Sequence, residues 1–105
     1  MRVTVAHQKT KEEVKRAVDL SFDDLFKGVA GLPLTLSDER RSWAGDVLTF
    51  SFVARVGFLA NPMSGTVVVT NTDLTIDADL GFLEKLIASR TVTNAIESRV
   101  KGLLT

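Results

Sequence analysis

Residues Trp43 to Thr70 read W-A-G-D-V-L-T-F-S-F-V-A-R-V-G-F-L-A-N-P-M-S-G-T-V-V-V-T. Gly45-Asp46 between two runs of strand-forming residues is a two-residue hairpin signal. From Val47 to about Val56 the chain alternates. Leu48, Phe50, Phe52, Ala54 and Val56 share one face, and Thr49, Ser51 and Arg55 share the other with Val53. That period of two predicts a half-buried strand. Asn61-Pro62 is a turn signal, so Val56 to Met63 reads as an apolar hairpin tip. Ser64 to Thr70 predicts the next strand.

The flanks complete the pattern. Leu34 to Trp43 predicts a strand whose register is ambiguous, because Leu34 and Leu36 share a parity that Trp43 does not. Either a bulge falls near Ser37–Asp38 or Trp43 packs on the opposite face. The bulge is preferred, since a large indole gains more when buried. Asn71-Thr72-Asp73 turns the chain. Leu74 to Asp79 predicts a fifth strand with Leu74, Ile76, Ala78 and Leu80 inward and Thr75, Asp77 and Asp79 in water.

At the start, Val3 and Val5 alternate with Arg2 and Thr4, a short strand from Arg2 to Ala6. Thr10 and Glu13 form a capping box. The helix it opens runs to about Lys27, with Val14, Ala17, Val18, Phe22, Leu25, Phe26 and Val29 on one stripe. Gly28, Gly31 and Pro33 end it. Phe82-Leu83 and Leu86-Ile87 read as an apolar linker or first helical turn. The last helix starts between Ser89 and Thr93 and ends near Leu103, with Val92, Ala95, Ile96, Val100, Leu103 and Leu104 as its stripe. The order β-α-β-β-β-β-α predicts one α+β domain over residues 1–105. It has an antiparallel sheet covered on one face by both helices, by analogy a helix-grip or TBP-like arrangement.

Composition excludes several functions. Lys+Arg and Asp+Glu are 13 each, so the formal net charge is zero. The two halves balance as well, with eight of each sign in residues 1–50 and five of each in 51–105. A protein that tracks nucleic-acid phosphates needs a basic surplus, so no nucleic-acid partner is expected. Cysteine is absent, which removes disulfides, thiolate metal sites and a Cys nucleophile. No apolar run is long enough for a transmembrane segment, and M-R-V-T-V-A-H lacks a signal-peptide core. Oligomeric state is open, since either edge strand could pair across a two-fold axis.

W-A-G-D-V-L-T-F-S-F-V-A is the most distinctive segment, as W-x-G-D followed by F-x-F. With it stand M-R-V-T-V-A-H, T-K-E-E-V-K-R-A-V-D, S-G-T-V-V-V, L-T-I-D-A-D-L and the terminal V-K-G-L-L. On these residues the chain resembles the polyhydroxyalkanoic acid system (granule-region) protein family over nearly its whole length. The resemblance implies a small bacterial cytoplasmic protein, located at storage granules and linked to polyester synthesis, use or granule surfaces. It brings no catalytic residues, cofactor or metal to carry over. The chain departs from the family pattern at Phe58-Leu59-Ala60-Asn61-Pro62, where the tip is long and apolar, and lacks a Pro after Leu80.

Candidate chemistry is sparse. His7 is the only histidine, sits beside the helix cap and reads as a surface or capping residue. Asp77 and Asp79 project from one strand face and read as solvated. Trp43, Phe50 and Phe52 are candidates to line an acyl-chain cavity or, more simply, to form core. Phe58, Leu59, Pro62 and Met63 form a tip without charge, and exposed apolar patches mark interfaces. Leu103-Leu104 is a candidate extension of that patch. The leading expectation is a non-enzymatic accessory protein of polyhydroxyalkanoate metabolism that binds the granule surface or a granule-associated protein. The alternative is a small protein binding an apolar acyl ligand between sheet and C-terminal helix.

Overall fold

The computed structural model describes residues 1–26, 35–81 and 89–105. Its elements are β1 (Arg2–Ala6), α1 (Lys11–Phe26), β2 (Thr35–Ala44), β3 (Val47–Val56), β4 (Leu59–Val69), β5 (Asp73–Asp79) and α2 (Ser89–Leu104). The strands form one antiparallel sheet in the order β1-β5-β4-β3-β2. Strands β2 to β5 follow one another as hairpins, and β1 adds to the far edge beside β5. This is the α+β architecture that the alternation and stripe patterns lead to.

Side-chain alternation decides which face is covered. Leu48, Phe50, Phe52 and Ala54 on β3 are buried, as are Val67 and Val69 on β4 and Leu74, Ile76 and Ala78 on β5. Opposite them α1 contributes Val14, Val18, Phe22, Leu25 and Phe26, and α2 contributes Val92, Ile96, Val100 and Leu104. Each helix thus seals one hydrophobic stripe on the same sheet face. The capping box forms at the start of α1. Thr10 Oγ1 accepts from the Glu13 N–H at 3.1 Å, and Glu13 Oε1 accepts from the Thr10 N–H at 3.5 Å. At the other end Arg99 of α2 donates to the Asp24 and Leu25 carbonyls at 2.8 and 3.3 Å. Carbonyls of a last helical turn need such partners.

The bulge lies in β2. Ser37 pairs with Val53 and Arg40 with Ser51, so Asp38 and Glu39 together face one residue of β3. Asp38 takes φ 53°, a left-handed conformation that Asp tolerates better than most residues. The extra residue resets the alternation. Leu36 opposite Ala54 and Trp43 opposite Leu48 therefore lie on the same, helix-bearing face.

Four expectations change. First, Asn61-Pro62 is not a turn. The β3–β4 turn is Gly57-Phe58, with Val56 opposite Leu59, and β4 begins at Leu59 rather than Ser64. Pro62 is tolerated inside the strand because β5 first pairs with β4 at Ser64, so β4 lacks a β5 neighbour at Pro62. Second, Met63 is not part of an exposed tip. It faces inward opposite Phe52 and is buried. Third, His7 is buried rather than superficial. Its Nδ1 accepts from the Lys9 N–H at 3.2 Å, which leaves Nε2–H to donate to the Thr70 carbonyl at 2.9 Å. Fourth, Leu103-Leu104 does not extend the tip. Leu103 lies beside Lys9, Glu13 and Ala17, near the Lys11–Asp46 end of the sheet, whereas Gly57-Phe58 is at the other end of β3. The expected helix stop at Gly28, Gly31 and Pro33, the stripe residue Val29, and the linker around Phe82-Leu83 and Leu86-Ile87 lie outside the described residues.

Candidate functional site

The strongest candidate is the β3–β4 hairpin end. From Val47 to Thr72 the sequence carries one charge, Arg55, and its Nε is turned sideways to Ser37 Oγ at 3.1 Å. Gly57 takes φ 60° at the first turn position, which suits a two-residue hairpin turn. Phe58 follows and is 97% exposed, and Leu59 is 44% exposed. Ala60 and Pro62 are also exposed.

The base of the hairpin is fixed. Met63 is held in the core. Asn61, 2% exposed, donates from Nδ2 to the Leu80 carbonyl at 2.9 Å. Gly81 (φ 62°) closes over it, and a Cβ there would overlap Asn61 Oδ1 and lie 2.9 Å from the Pro62 carbonyl. The carboxylate of Asp79 accepts the Gly81 N–H at 2.9 Å, which shapes this bend. An apolar turn thus stands on a base pinned by one core side chain and one buried amide. Beside it lies an open groove of about 540 Å³ bordered by Ser51, Val53, Pro62, Ser64 and Asp79.

Phe50 and Phe52 are packed with Phe22 and Phe26, with ring centroids 5.1 to 6.2 Å apart. Edge and tilted contacts at these distances are favourable. The Arg41 guanidinium lies 4.9 Å from the Phe22 ring. These rings fill the space between α1 and β3.

Trp43 is half-buried and belongs to a different arrangement. Three residues spaced four apart on α1, Lys11, Lys15 and Asp19, hold the W-A-G-D turn. Lys11 Nζ bonds Asp46 Oδ2 at 2.9 Å. Lys15 Nζ donates to the Gly45 carbonyl at 2.8 Å and lies 5.1 Å from the Trp43 ring centre. Asp19 accepts the Trp43 indole N–H. The hydrogen bond from Lys11 holds the Asp46 carboxyl below its ordinary value, and the charges of Lys11 and Lys15 act the same way. The most distinctive motif of the sequence is therefore a clasp between hairpin and helix.

Among the described residues, carboxylates are spread over separate ion pairs. Asp77 pairs with Arg2 across the outer face at 3.0 Å. Glu39 meets Arg41 Nε at 2.7 Å. Burial pushes the Glu39 carboxyl up, a hydrogen bond with Asp23 pushes it further, and the Arg41 charge opposes both. Among the described residues, no group of three or more His, Asp or Glu side chains is placed to hold a metal ion. No described helix is long and apolar enough to cross a membrane.

Sequence reasoning did not single out Asn61 as an anchor or Leu20 as an exposed residue. Leu20 is 80% exposed, and the signal was its position off the α1 core stripe. The Asn61 role carries no local signal, because its partner is nineteen residues away.

Comparison of the chain with protein-family models, curated proteins and solved structures finds no match in any of the three.

Proposed function

We propose that the chain is a non-enzymatic accessory protein of polyhydroxyalkanoate metabolism, and that the β3–β4 turn binds the granule surface or a granule-associated protein. The observation that carries this reading is Phe58, a large apolar side chain 97% exposed at the end of a hairpin whose base is fixed. A solvated turn serves the fold equally well with a polar residue at that position. Moving Phe58 and Leu59 out of water is worth roughly 3–5 kcal/mol. That gives an affinity of about a millimolar for one tip, so adsorption to a particle depends on many copies or on a fitted protein pocket.

The buried His7 supports a non-enzymatic role, because both ring nitrogens are engaged by the backbone. The acyl-ligand alternative asks for a cavity beside Phe50 and Phe52, and those rings instead contact Phe22 and Phe26.

The test is co-sedimentation with polyhydroxybutyrate particles, beside a Phe58→Ser/Leu59→Ser variant whose fold is checked by circular dichroism. Wild type in the pellet and variant in the supernatant is the expected result. Equal pelleting of both removes the tip from the reading. Failure of both to pellet ends direct adsorption and leaves the protein-partner form, tested by capture on granules that keep their native protein coat.

A further inference from the structure

Helix α1 has a second stripe that the core does not use. Glu13, Arg16, Ala17, Leu20 and Asp24 recur three or four residues apart on its outward side. Leu20 is 80% exposed. Two shallow clefts adjoin it between α1 and α2. One, of about 330 Å³, runs past Glu13, Arg16, Ala17 and Leu20 to Leu103. The other, of about 270 Å³, runs past Ser21 and Asp24 to Arg99 and again Leu103. Leu103, half-buried, is thus the apolar floor common to both.

The charges around Leu20 are ordered. Arg16 lies one turn before it and Asp24 one turn after it. Both side chains are exposed, and neither forms an ion pair or hydrogen bond with a described residue. A two-fold axis at Leu20 maps each position onto the one equally far on the other side. It therefore places Arg16 of one copy against Asp24 of another, about 6 Å along the helix on either side of the centre. The stripe is complementary to its own reversal, which is the requirement of an isologous interface. A peptide or surface of one sign is matched by only half of it.

We propose that α1 pairs antiparallel with α1 of a second copy of this chain, about a two-fold axis at Leu20. Leu20 enters the cleft of the second copy against Ala17 and Leu103, and two Arg16–Asp24 pairs flank it. Antiparallel alignment also sets the helix dipoles favourably. One helix per side is a small interface, so the dimer is a weak one, with a dissociation constant on the order of 10–500 µM. This inference stands apart from the hairpin tip.

Sedimentation equilibrium of the full chain from about 10 µM to about 1 mM covers that range. Wild type is expected to pass from one chain mass to two. Leu20→Glu is expected to raise the dissociation constant at least about tenfold, which is about 1.4 kcal/mol. Arg16→Glu and Asp24→Arg alone each break both pairs and weaken self-association. Their equimolar mixture recovers the wild-type dimer, because each mixed pair then joins opposite charges. All three positions are exposed, and circular dichroism confirms folding. A monomer at every concentration overturns the proposal. So does a dimer indifferent to Leu20→Glu, or a mixture that associates no better than its components.

Discussion

The indole N–H of Trp43 points at both carboxylate oxygens of Asp19, 3.0 Å from each. It is a bond between an edge strand and the middle of α1, and the same Asp19 backbone carbonyl accepts from Arg41 Nη1 at 3.0 Å. Removing the indole costs ring packing as well as the bond, yet the ring is only half-buried. Trp43→Ala is therefore expected to lower unfolding stability by about 2–3 kcal/mol, less than a fully buried aromatic loses. In a double-mutant cycle of Trp43→Phe with Asp19→Ala, the coupling is expected to be about 0.5–1.5 kcal/mol. Denaturant unfolding measures both, and a Trp43→Ala loss under about 0.5 kcal/mol contradicts the packing.

Gly65 and Gly102 are expected to respond oppositely to alanine. A Cβ on Gly65 would overlap the Asp77 carbonyl and lie 2.8 Å from Ala78 Cα and 2.9 Å from Phe50 Cζ. Two of those contacts are backbone in a neighbouring strand, so the sheet must part. Gly65→Ala is expected to cost about 2–4 kcal/mol. Gly102 sits in α2 with nothing within 4 Å, and Gly102→Ala is expected to add about 0.5–1 kcal/mol through helix propensity. Thermal melts of the two variants decide the sign of each.

Two carboxylates give opposite pH dependences. The folded value for Asp46 lies below its ordinary 3.8. Its contribution is complete above that value and is lost as pH falls through the folded one. Asp46→Asn is thus expected to melt below wild type at neutral pH, with the gap closing below 3.8. The folded value for Glu39 lies above its ordinary 4.5. Its contribution is complete below 4.5 and is lost as pH rises through the folded value. Glu39→Gln is expected to melt above wild type at neutral pH and to converge with it below 4.5. Melting temperatures across that range test both, and a constant gap for either variant contradicts the assignment.

His7 joins the exit of β1 to the β4–β5 turn through Thr70, sixty-three residues away. His7→Ala leaves the Thr70 carbonyl and the Lys9 N–H without that ring. It is expected to cost about 1–3 kcal/mol. Faster hydrogen exchange at the Lys9 amide is the local sign, and unchanged exchange there refutes the bond.

Features set by local periodicity were legible in the sequence. The α1 stripe from Val14 to Phe26, the alternation of β3, the Thr10–Glu13 cap and the Gly45-Asp46 hairpin all came from neighbours within four residues. The β2 bulge was legible too, because Leu36 and Trp43 cannot share a face without it. What failed depended on distant chain. Asn61-Pro62 carries strong turn chemistry, and nothing local reveals that β5 leaves β4 unaccompanied there. Met63 read as tip for the same reason. The burial of His7 depends on Thr70, sixty-three residues away.

The single extra residue at Asp38–Glu39 is spare chain, because Leu36 and Trp43 lie an odd number of positions apart on β2 while their partners Ala54 and Leu48 lie an even number apart on β3. Before it, β2 needs only to continue the ladder at Ser37 and Val53. After it, Arg41 and Trp43 must meet Phe22 and Asp19. Removing either residue leaves a regular ladder with the same partners, and Trp43, still opposite Leu48, keeps its indole toward Asp19. A one-residue deletion at Asp38–Glu39 therefore keeps the helix fastened and removes only the left-handed kink of the chain at Asp38.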